Sequence, residues 1–223
     1  MSFVHIRCNT HQYADDLMLY TALVPSMFSD LTSVADCTDA VSTWFMENSL
    51  LLNPGKTEAV IFRTRQRLAD LDITGGVDVA RSTVQFNDAL KLLGVPLHAL
   101  LSFDKHVTNV VRACTFHTHV LLHIRPLLTL EAAKAVAVSI VGSRLDYCNS
   151  LLYGTTERNF DRLQRVQNTL ARVVFRASWS ASASDLLQEL YWLPIRQRVR
   201  FKLAAVTFKT KHSGMPAYLH DDI

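Results

Sequence analysis

Residues 11–20 read HQYADDLMLY, a stretch in which two adjacent aspartates, Asp15 and Asp16, interrupt short apolar runs. The pattern predicts a β-hairpin with the acidic pair at its turn. Two carboxylates held side by side repel each other, and a hard divalent cation such as Mg²⁺ relieves that repulsion. Aspartate is also a common residue of solvated turns. The pair alone therefore leaves two interpretations open, a metal site and an ordinary acidic turn.

The composition of the 223-residue chain is that of a globular protein, with 49% hydrophobic and 19% charged residues. The 7 glycines and 6 prolines are too few for a loop-rich all-β protein. No apolar run is long enough to span a bilayer, no signal-peptide pattern begins the chain, and the 4 cysteines form no zinc-type pair. We therefore expect an intracellular protein, nuclear or cytoplasmic, that is neither secreted nor membrane-bound.

Charge is distributed unevenly along the chain. Residues 1–100 hold 7 Lys and Arg against 11 Asp and Glu, a net charge of −4, whereas residues 101–223 hold 16 against 9, a net charge of +7. Such asymmetry is expected where one part holds metal ions and the other a polyanion, although charges that serve only solubility give the same numbers. We place a domain boundary near residue 100, between parts 1–100 and 101–223.

The periodicity predicts an α+β fold in which strands and one helix precede an all-helical region. In the first part we expect a hairpin within residues 3–20, a helix over 29–49, strands at 57–62, 71–73, 77–79 and 84–86, and a strand or tight hairpin at 91–97. In the second part we expect helices over 102–123, 129–145, 156–175, a short stretch after Ser184, and 194–214.

The segment YADD (residues 13–16) between apolar strands resembles the catalytic hairpin of reverse transcriptases. Further segments, in order, resemble LINE-type (non-LTR) retrotransposon reverse transcriptases: WFMENSLLLNPGKTEAVIF (44–62), KLLGVPL (91–97), LDYCNSLLYG (145–154), LQRVQNTLARVVF (163–175), ELYWLPIRQRVRFK (189–202) and MPAYL (215–219). The resemblance covers nearly the whole chain. It implies that residues 1–100 form the C-terminal portion of a polymerase palm, a β-hairpin, a helix and a small antiparallel sheet, and that 101–223 form a helical, thumb-like region.

The resemblance also implies roles for individual residues. Asp15 and Asp16 would be catalytic carboxylates that bind Mg²⁺, and Lys56 would neutralise or protonate the pyrophosphate leaving group. The residues expected to contact the primer end are Tyr13, Ala14, Leu93, Gly94 and Val95, the last three in a primer-grip-like hairpin. The implied partners are an RNA template, a DNA primer and a dNTP, with no membrane.

Two basic clusters in the second part could follow the phosphates of a primer–template duplex. Arg158, Arg162 and Arg165 share one helical face, and a second cluster comprises Arg196, Arg198, Arg200 and Lys202. Solvated outer faces of a helical bundle would have the same composition. We expect Trp179, Tyr191 and Trp192 to be core or helix-packing residues and not platforms for bases.

A palm of this family needs another aspartate on an earlier strand and a fingers region, and residues 1–12 contain no Asp or Glu. We therefore expect weak Mg²⁺ binding and no polymerase activity from this chain alone, and we count the N-terminal part of a polymerase among its candidate partners. Two alternatives stay open: a non-enzymatic nucleic-acid-binding module that uses only the basic helices, and a non-functional retrotransposon remnant.

Overall fold

The computed structural model describes residues 8–23, 29–64, 66, 75–80 and 82–223. The chain divides into two compact units, Met1–Leu101 and Ser102–Ile223, which we describe separately. The predicted strand at 71–73 and the first residues of the predicted hairpin, 3–7, lie outside the described residues.

The first unit begins with the predicted hairpin, whose described part is confirmed. Strand β1 (Asn9–Tyr13) pairs antiparallel with β2 (Asp16–Tyr20), in a register that sets Asn9 opposite Tyr20 and Tyr13 opposite Asp16. Helix α1 (Ser29–Glu47) follows and confirms the predicted helix to within two residues.

Two further hairpins complete the strands of this unit: β3 (Gly76–Val79) with β4 (Ser82–Gln85), and β5 (Ala89–Leu92) with β6 (Val95–His98). The described strands thus form three separate two-stranded sheets, in keeping with an α+β fold. A small core of Val77, Val79 and Val84 packs against Val34 of α1. The Thr38 hydroxyl of α1 donates to the Asp78 carbonyl at 2.8 Å, which fixes the helix on β3.

Residues 57–62, expected to form a strand, pair with other backbone at single points only. Ala59 forms one parallel bridge with Phe86, and the Ala59 carbonyl accepts from the Asn87 N–H at 2.8 Å. The Arg63 N–H donates to the Ala99 carbonyl at 2.9 Å. The prediction of a strand here was wrong, because the extended segment divides its hydrogen bonds among several partners and, within the described residues, forms no ladder with any one of them.

The second unit is helical. Its helices are α2 (Asp104–Ile124), α3 (Leu130–Val136), α4 (Ser143–Asp146), α5 (Glu157–Phe175), α6 (Ala183–Glu189), α7 (Ile195–Ser213) and α8 (Ala217–His220). A π-helical turn, Ala137–Gly142, joins α3 to α4, so the predicted helix over 129–145 is one run with a wider turn inside it.

Most of the predicted helix ends are confirmed. The Thr129 hydroxyl accepts from the Ala132 N–H at 3.2 Å and caps α3, and Gly214 ends α7 at φ 68°. Two helices begin at slightly different residues than expected. The N-cap residue of α2 is Phe103, and α6 begins at Ala183, before the predicted start after Ser184, with the Ser182 hydroxyl accepting from the Asp185 N–H.

The core of the second unit lies between α2 and α5, with the first turns of α7 added to it. The side of α5 that faces this core carries six buried residues at helical spacing: Phe160, Leu163, Val166, Gln167, Leu170 and Val174. Among the described residues, no helix has both the length and the apolar character that crossing a membrane requires.

Candidate nucleic-acid and metal site

The acidic turn sits at the tip of the first hairpin. Because Tyr13 pairs with Asp16, only Ala14 and Asp15 form the turn, and Ala14 adopts a left-handed φ of 51°. The Gln12 side chain donates to the Ala14 carbonyl at 3.0 Å and braces the turn. Asp15 and Asp16 are both exposed, as is Tyr13 at 65%. The hairpin therefore presents two adjacent carboxylates to solvent, beside an aromatic ring.

Two carboxylates suit magnesium only when other oxygen ligands complete the shell. Within the described part of the chain, no group of three or more His, Cys, Asp or Glu side chains is placed to hold a metal ion. Mg²⁺ commonly takes one or two protein carboxylates together with water and substrate phosphates. The donor set at Asp15 and Asp16 thus fits an ion shared with a phosphorylated substrate, and it does not form a closed protein site.

Lys56 ends a one-turn 3₁₀ helix, Pro54–Lys56. The Asn53 side chain caps this turn by accepting from the Gly55 N–H at 3.0 Å, and the Thr57 hydroxyl donates to the Asn53 carbonyl at 3.2 Å. Residues 53–56 thus form a capped turn. Because Lys56 is exposed on a turn that is fixed from both sides, its ammonium group is available to an anion.

The hairpin of β5 and β6 turns through Leu93 and Gly94. Both have positive φ, 46° and 82°, as a two-residue turn of the primed type requires. Leu93 is 41% exposed at the tip, and a Cβ on Gly94 would meet no atom of the described residues within 4 Å, so the backbone at Gly94 is open to an approaching molecule. Val95 differs from both, because it is 3% exposed and packs inward.

Glu58 connects the turn at Lys56 to the β5–β6 hairpin, and it is not among the site residues predicted from the sequence. Its Oε2 accepts the Lys91 backbone N–H at 2.7 Å, so it links the segment that follows Lys56 to strand β5. The one sequence feature that could have pointed to Glu58 is its position in NPGKTE, two residues after Lys56. The contact spans 33 residues of sequence, and no local pattern shows it.

The basic residues predicted to face phosphates have different surroundings. Arg158 and Arg165 are exposed on α5, whereas Arg162 is half-buried and donates to the Thr108 hydroxyl of α2 at 2.9 Å. Arg158 and Arg162 also lie near Asp104, whose pKa is lowered chiefly by hydrogen bonds from Asn159 and Ser102 and further by the two guanidinium groups. Arg162 therefore helps to join α2 and α5.

The second basic cluster divides in the same way. Arg198 donates to both carboxylate oxygens of Asp146, at 3.0 and 2.8 Å. Arg196 pairs with Glu157, and its guanidinium lies 4.5 Å from the centroid of the Phe160 ring. Arg200 and Lys202 are exposed. The first two cations hold α7 to its neighbours, and the last two are available to a ligand.

The expectation that all three aromatic residues near α6 are packing residues was wrong for two of them. Trp192 packs against the core, but Trp179 is 72% exposed and Tyr191 is 94% exposed. Trp179 lies in the loop between α5 and α6. Tyr191 lies two residues after the end of α6, with a left-handed φ of 56°.

Three proteins of Drosophila mobile elements are similar to the chain. It is 26% identical over 152 residues to the probable RNA-directed DNA polymerase from transposon X-element of Drosophila melanogaster. It is 24% identical over 183 residues, and 25% over 194, to the RNA-directed DNA polymerase from mobile element jockey of D. melanogaster and of D. funebris. These matches cover 67%, 80% and 84% of the chain and 16%, 19% and 20% of the relatives.

The chain thus spans no more than a fifth of the length of these relatives. No family model matches it, and no solved structure does. The resemblance that the ordered motifs predict is nevertheless confirmed by all three relatives, which are RNA-directed DNA polymerases by name. By sequence, the chain is similar to the RNA-directed DNA polymerases of Drosophila non-LTR elements.

Proposed function

We propose that the chain is part of the RNA-directed DNA polymerase of a non-LTR retrotransposon. In this proposal Met1–Leu101 is the C-terminal portion of the palm and Ser102–Ile223 is the thumb-like region. The observation that carries the proposal is the first hairpin, where Asp15 occupies a two-residue turn and Asp16 opens the returning strand. The similarity to three polymerases over 67–84% of the chain supports it.

The candidate site residues of the first unit would each have a role in nucleotidyl transfer. Asp15 and Asp16 would hold Mg²⁺ jointly with the phosphates of a dNTP, and the bound ion would supply charge stabilisation for the reacting oxygens. The Lys56 ammonium would neutralise the pyrophosphate as it leaves. The turn at Leu93 and Gly94 would press its exposed backbone and the Leu93 side chain against the primer end.

The second unit would contact the template and primer through phosphates. Arg158 and Arg165 are the exposed members of the α5 cluster, so they are the ones that a duplex can reach. Contacts of this kind hold a duplex in place and carry no sequence preference. The proposal therefore predicts binding of an RNA–DNA hybrid that weakens steeply as salt is added.

We further infer that the chain alone does not incorporate dNTP. Its exposed carboxylate pair offers few ligands, and among the described residues no third acidic, His or Cys side chain joins it in a cluster. The test is primer extension on a primed RNA template with Mg²⁺ or Mn²⁺. We expect hybrid binding with no extension, and robust incorporation abolished by Asp15→Asn would overturn the inference of inactivity.

A non-enzymatic nucleic-acid-binding module is the second candidate, favoured by the exposed cations of the second unit. The two candidates differ at the acidic turn. If Asp15→Ala leaves hybrid binding unchanged both with Mg²⁺ and with EDTA, the binding-module function is supported. If Mg²⁺ strengthens binding and Asp15→Ala removes that gain, the polymerase origin of the site is supported. Absence of binding at low salt would contradict both and leave a non-functional remnant.

A further inference from the structure

Residues 190–220 contain no aspartate or glutamate, and α7 lies wholly within this stretch. The helix carries six Lys and Arg residues. Arg196 forms an ion pair with Glu157, and Arg198 forms one with Asp146. The remaining cations are Arg200, Lys202, Lys209 and Lys211, and all four are exposed. Among the described residues none of these four forms an ion pair.

The opposite sides of α7 have different environments. Ile195, Val199 and Thr210 are buried on the side that faces the bundle. Phe201 and Phe208 are 65% and 70% exposed. Seven residues are close to two full helical turns, so these two rings lie on the same outward line, about 10 Å apart along the axis.

His212 extends this line of rings. It lies four residues after Phe208, and the two rings stack at 5.8 Å between centroids with an interplanar angle of only 5°. We call Phe201, Phe208 and His212 the α7 aromatic line. At 100° per residue, Arg200 and Lys211 fall on one side of this line, and Lys202 and Lys209 fall on the other. Exposed rings are thus bordered on both sides by cations.

We propose that the α7 aromatic line binds single-stranded nucleic acid, with bases stacked on Phe201 and Phe208 and phosphates on the four flanking cations. This inference rests on the proposed function. It adds a site for the single-stranded part of the nucleic acid, which a site for the primer–template duplex would not bind. Base–aromatic stacking requires unpaired bases, because a duplex offers a ring only its ends. The spacing of about 10 Å between the rings equals roughly three base-to-base steps of a stacked strand, which are about 3.4 Å each.

Charge favours a polyanion over a neutral partner, and the narrow apolar surface favours nucleic acid over a lipid bilayer. A helix that lies in a membrane surface needs a broad apolar face free to enter the lipid. The apolar residues Ile195 and Val199 of α7 are buried in the bundle, and the large apolar side chains that α7 exposes are the two separate rings of Phe201 and Phe208. An anionic vesicle is therefore the competing ligand that the experiment must include.

The test is a fluorescence-anisotropy titration of the 223-residue chain with labelled 20-nucleotide oligo(dT), a 20-base-pair DNA duplex, an RNA–DNA hybrid and phosphatidylserine vesicles. We expect Phe201→Ala and Phe208→Ala each to weaken oligo(dT) binding about tenfold. Lys202→Gln and Lys209→Gln should each make the negative slope of log K against log salt less steep by about 0.7. Phe116→Ala is the matched control, since that ring is 63% exposed on α2 and should not affect binding.

Several outcomes would overturn the inference. These are unchanged oligo(dT) affinity in the Phe201→Ala/Phe208→Ala double variant, an equal loss in Phe116→Ala, or phenylalanine-dependent binding of vesicles without binding of oligo(dT). If the wild-type chain binds the hybrid but the double variant keeps its oligo(dT) affinity, only this inference fails. If oligo(dT) binding depends on the two rings while the hybrid does not bind, the proposed polymerase function fails and the single-strand surface stands.

Discussion

Glu58 accepts the backbone N–H of Lys91 at 2.7 Å, and this one hydrogen bond joins the turn that carries Lys56 to the hairpin that carries Leu93 and Gly94. The two segments are also connected through Ala59, which bridges to Phe86 and accepts from Asn87. The backbone of the turn at Lys56 is therefore tied to the β5–β6 hairpin within the first unit. A site that handles both a primer end and a triphosphate needs such a relation.

Loss of the Glu58 carboxylate should loosen the β5–β6 hairpin. Glu58→Ala leaves the Lys91 N–H without its acceptor and should lower the free energy of unfolding by about 1 kcal/mol, the usual net value of one hydrogen bond. Hydrogen exchange followed by NMR should show faster exchange of the Lys91 amide. Glu58→Gln keeps an acceptor oxygen and should restore protection. Equal exchange rates in the wild type and in Glu58→Ala would show that the contact does not hold the hairpin.

Leu93 has a left-handed backbone conformation that asparagine adopts more readily than leucine. At φ 46°, Leu93→Asn converts the turn to Asn-Gly and should raise the free energy of unfolding by about 1 kcal/mol. The same change removes the exposed apolar side chain and should weaken binding of the RNA–DNA hybrid severalfold. Urea unfolding and anisotropy measure the two effects.

Ala80 provides the matched control for this trade, because it follows β3 with a φ of 48°. Ala80→Asn should stabilise the chain to a similar degree and leave hybrid binding unchanged. If Leu93→Asn stabilises the chain and binds the hybrid like the wild type, the primer-grip role of Leu93 is refuted.

Arg125 is a buried cation whose loss should be costly. It is 6% exposed, and its guanidinium donates to the Val174 carbonyl at 2.7 Å and to the Leu128 carbonyl at 2.8 Å. Arg125→Met retains much of the side-chain volume but removes both donors, so stability should fall by about 2–3 kcal/mol. Arg112→Met, on the exposed face of α2, should change stability by less than about 0.5 kcal/mol. Equal midpoints of urea unfolding for the two variants would contradict this assignment.

His106 should make the stability of the second unit depend on pH. It is 5% exposed, and burial lowers its pKa below the ordinary 6.5. The unfolded chain takes up a proton at His106 as the pH falls below 6.5, and the folded chain does so only at a lower pH. The free energy of unfolding should therefore decrease as the pH falls from 6.5 toward the folded-state pKa, by at most about 1.4 kcal/mol per pH unit.

Urea unfolding at pH 7.5, 6.5 and 5.5 measures this effect. His106→Gln should flatten the dependence in that interval, whereas His119→Gln, at an exposed position of the same helix, should leave it as in the wild type. A pH profile that His106→Gln does not change would locate the effect in other groups.

Features with a local cause were predictable from the sequence. The stripe on α5 follows from helical spacing, the Thr129 cap from a hydroxyl before a helical pattern, and the Gly214 end from the left-handed cap that glycine allows. The acidic turn and the turn at Leu93 and Gly94 follow from short apolar runs that flank a two-residue break. These patterns need no knowledge of the rest of the chain.

Features with a distant cause were not predictable. The arginines at 158, 162 and 165 look equivalent in sequence, but Thr108, which lies 54 residues from Arg162, occupies only one of them. Asp146 likewise occupies Arg198 from a distance of 52 residues. Residues 57–62 have the composition of a strand, yet Glu58 accepts from Lys91 and Ala59 accepts from Asn87, so their long-range hydrogen bonds go to two different segments. Composition identifies which residues can bind a ligand, and tertiary contacts decide which of them are available for it.

The most direct test of the central claim is manganese binding to the chain with a primed RNA–DNA hybrid and dNTP, measured by electron paramagnetic resonance of the free ion. The acidic turn should bind Mn²⁺ jointly with substrate phosphates, so adding hybrid and dNTP should increase the bound Mn²⁺ beyond what each component binds separately. Asp15→Asn/Asp16→Asn should abolish that increase and leave hybrid binding in EDTA unchanged. The same increase in the double variant as in the wild type would contradict the assignment of this hairpin as the metal-bearing turn of a polymerase.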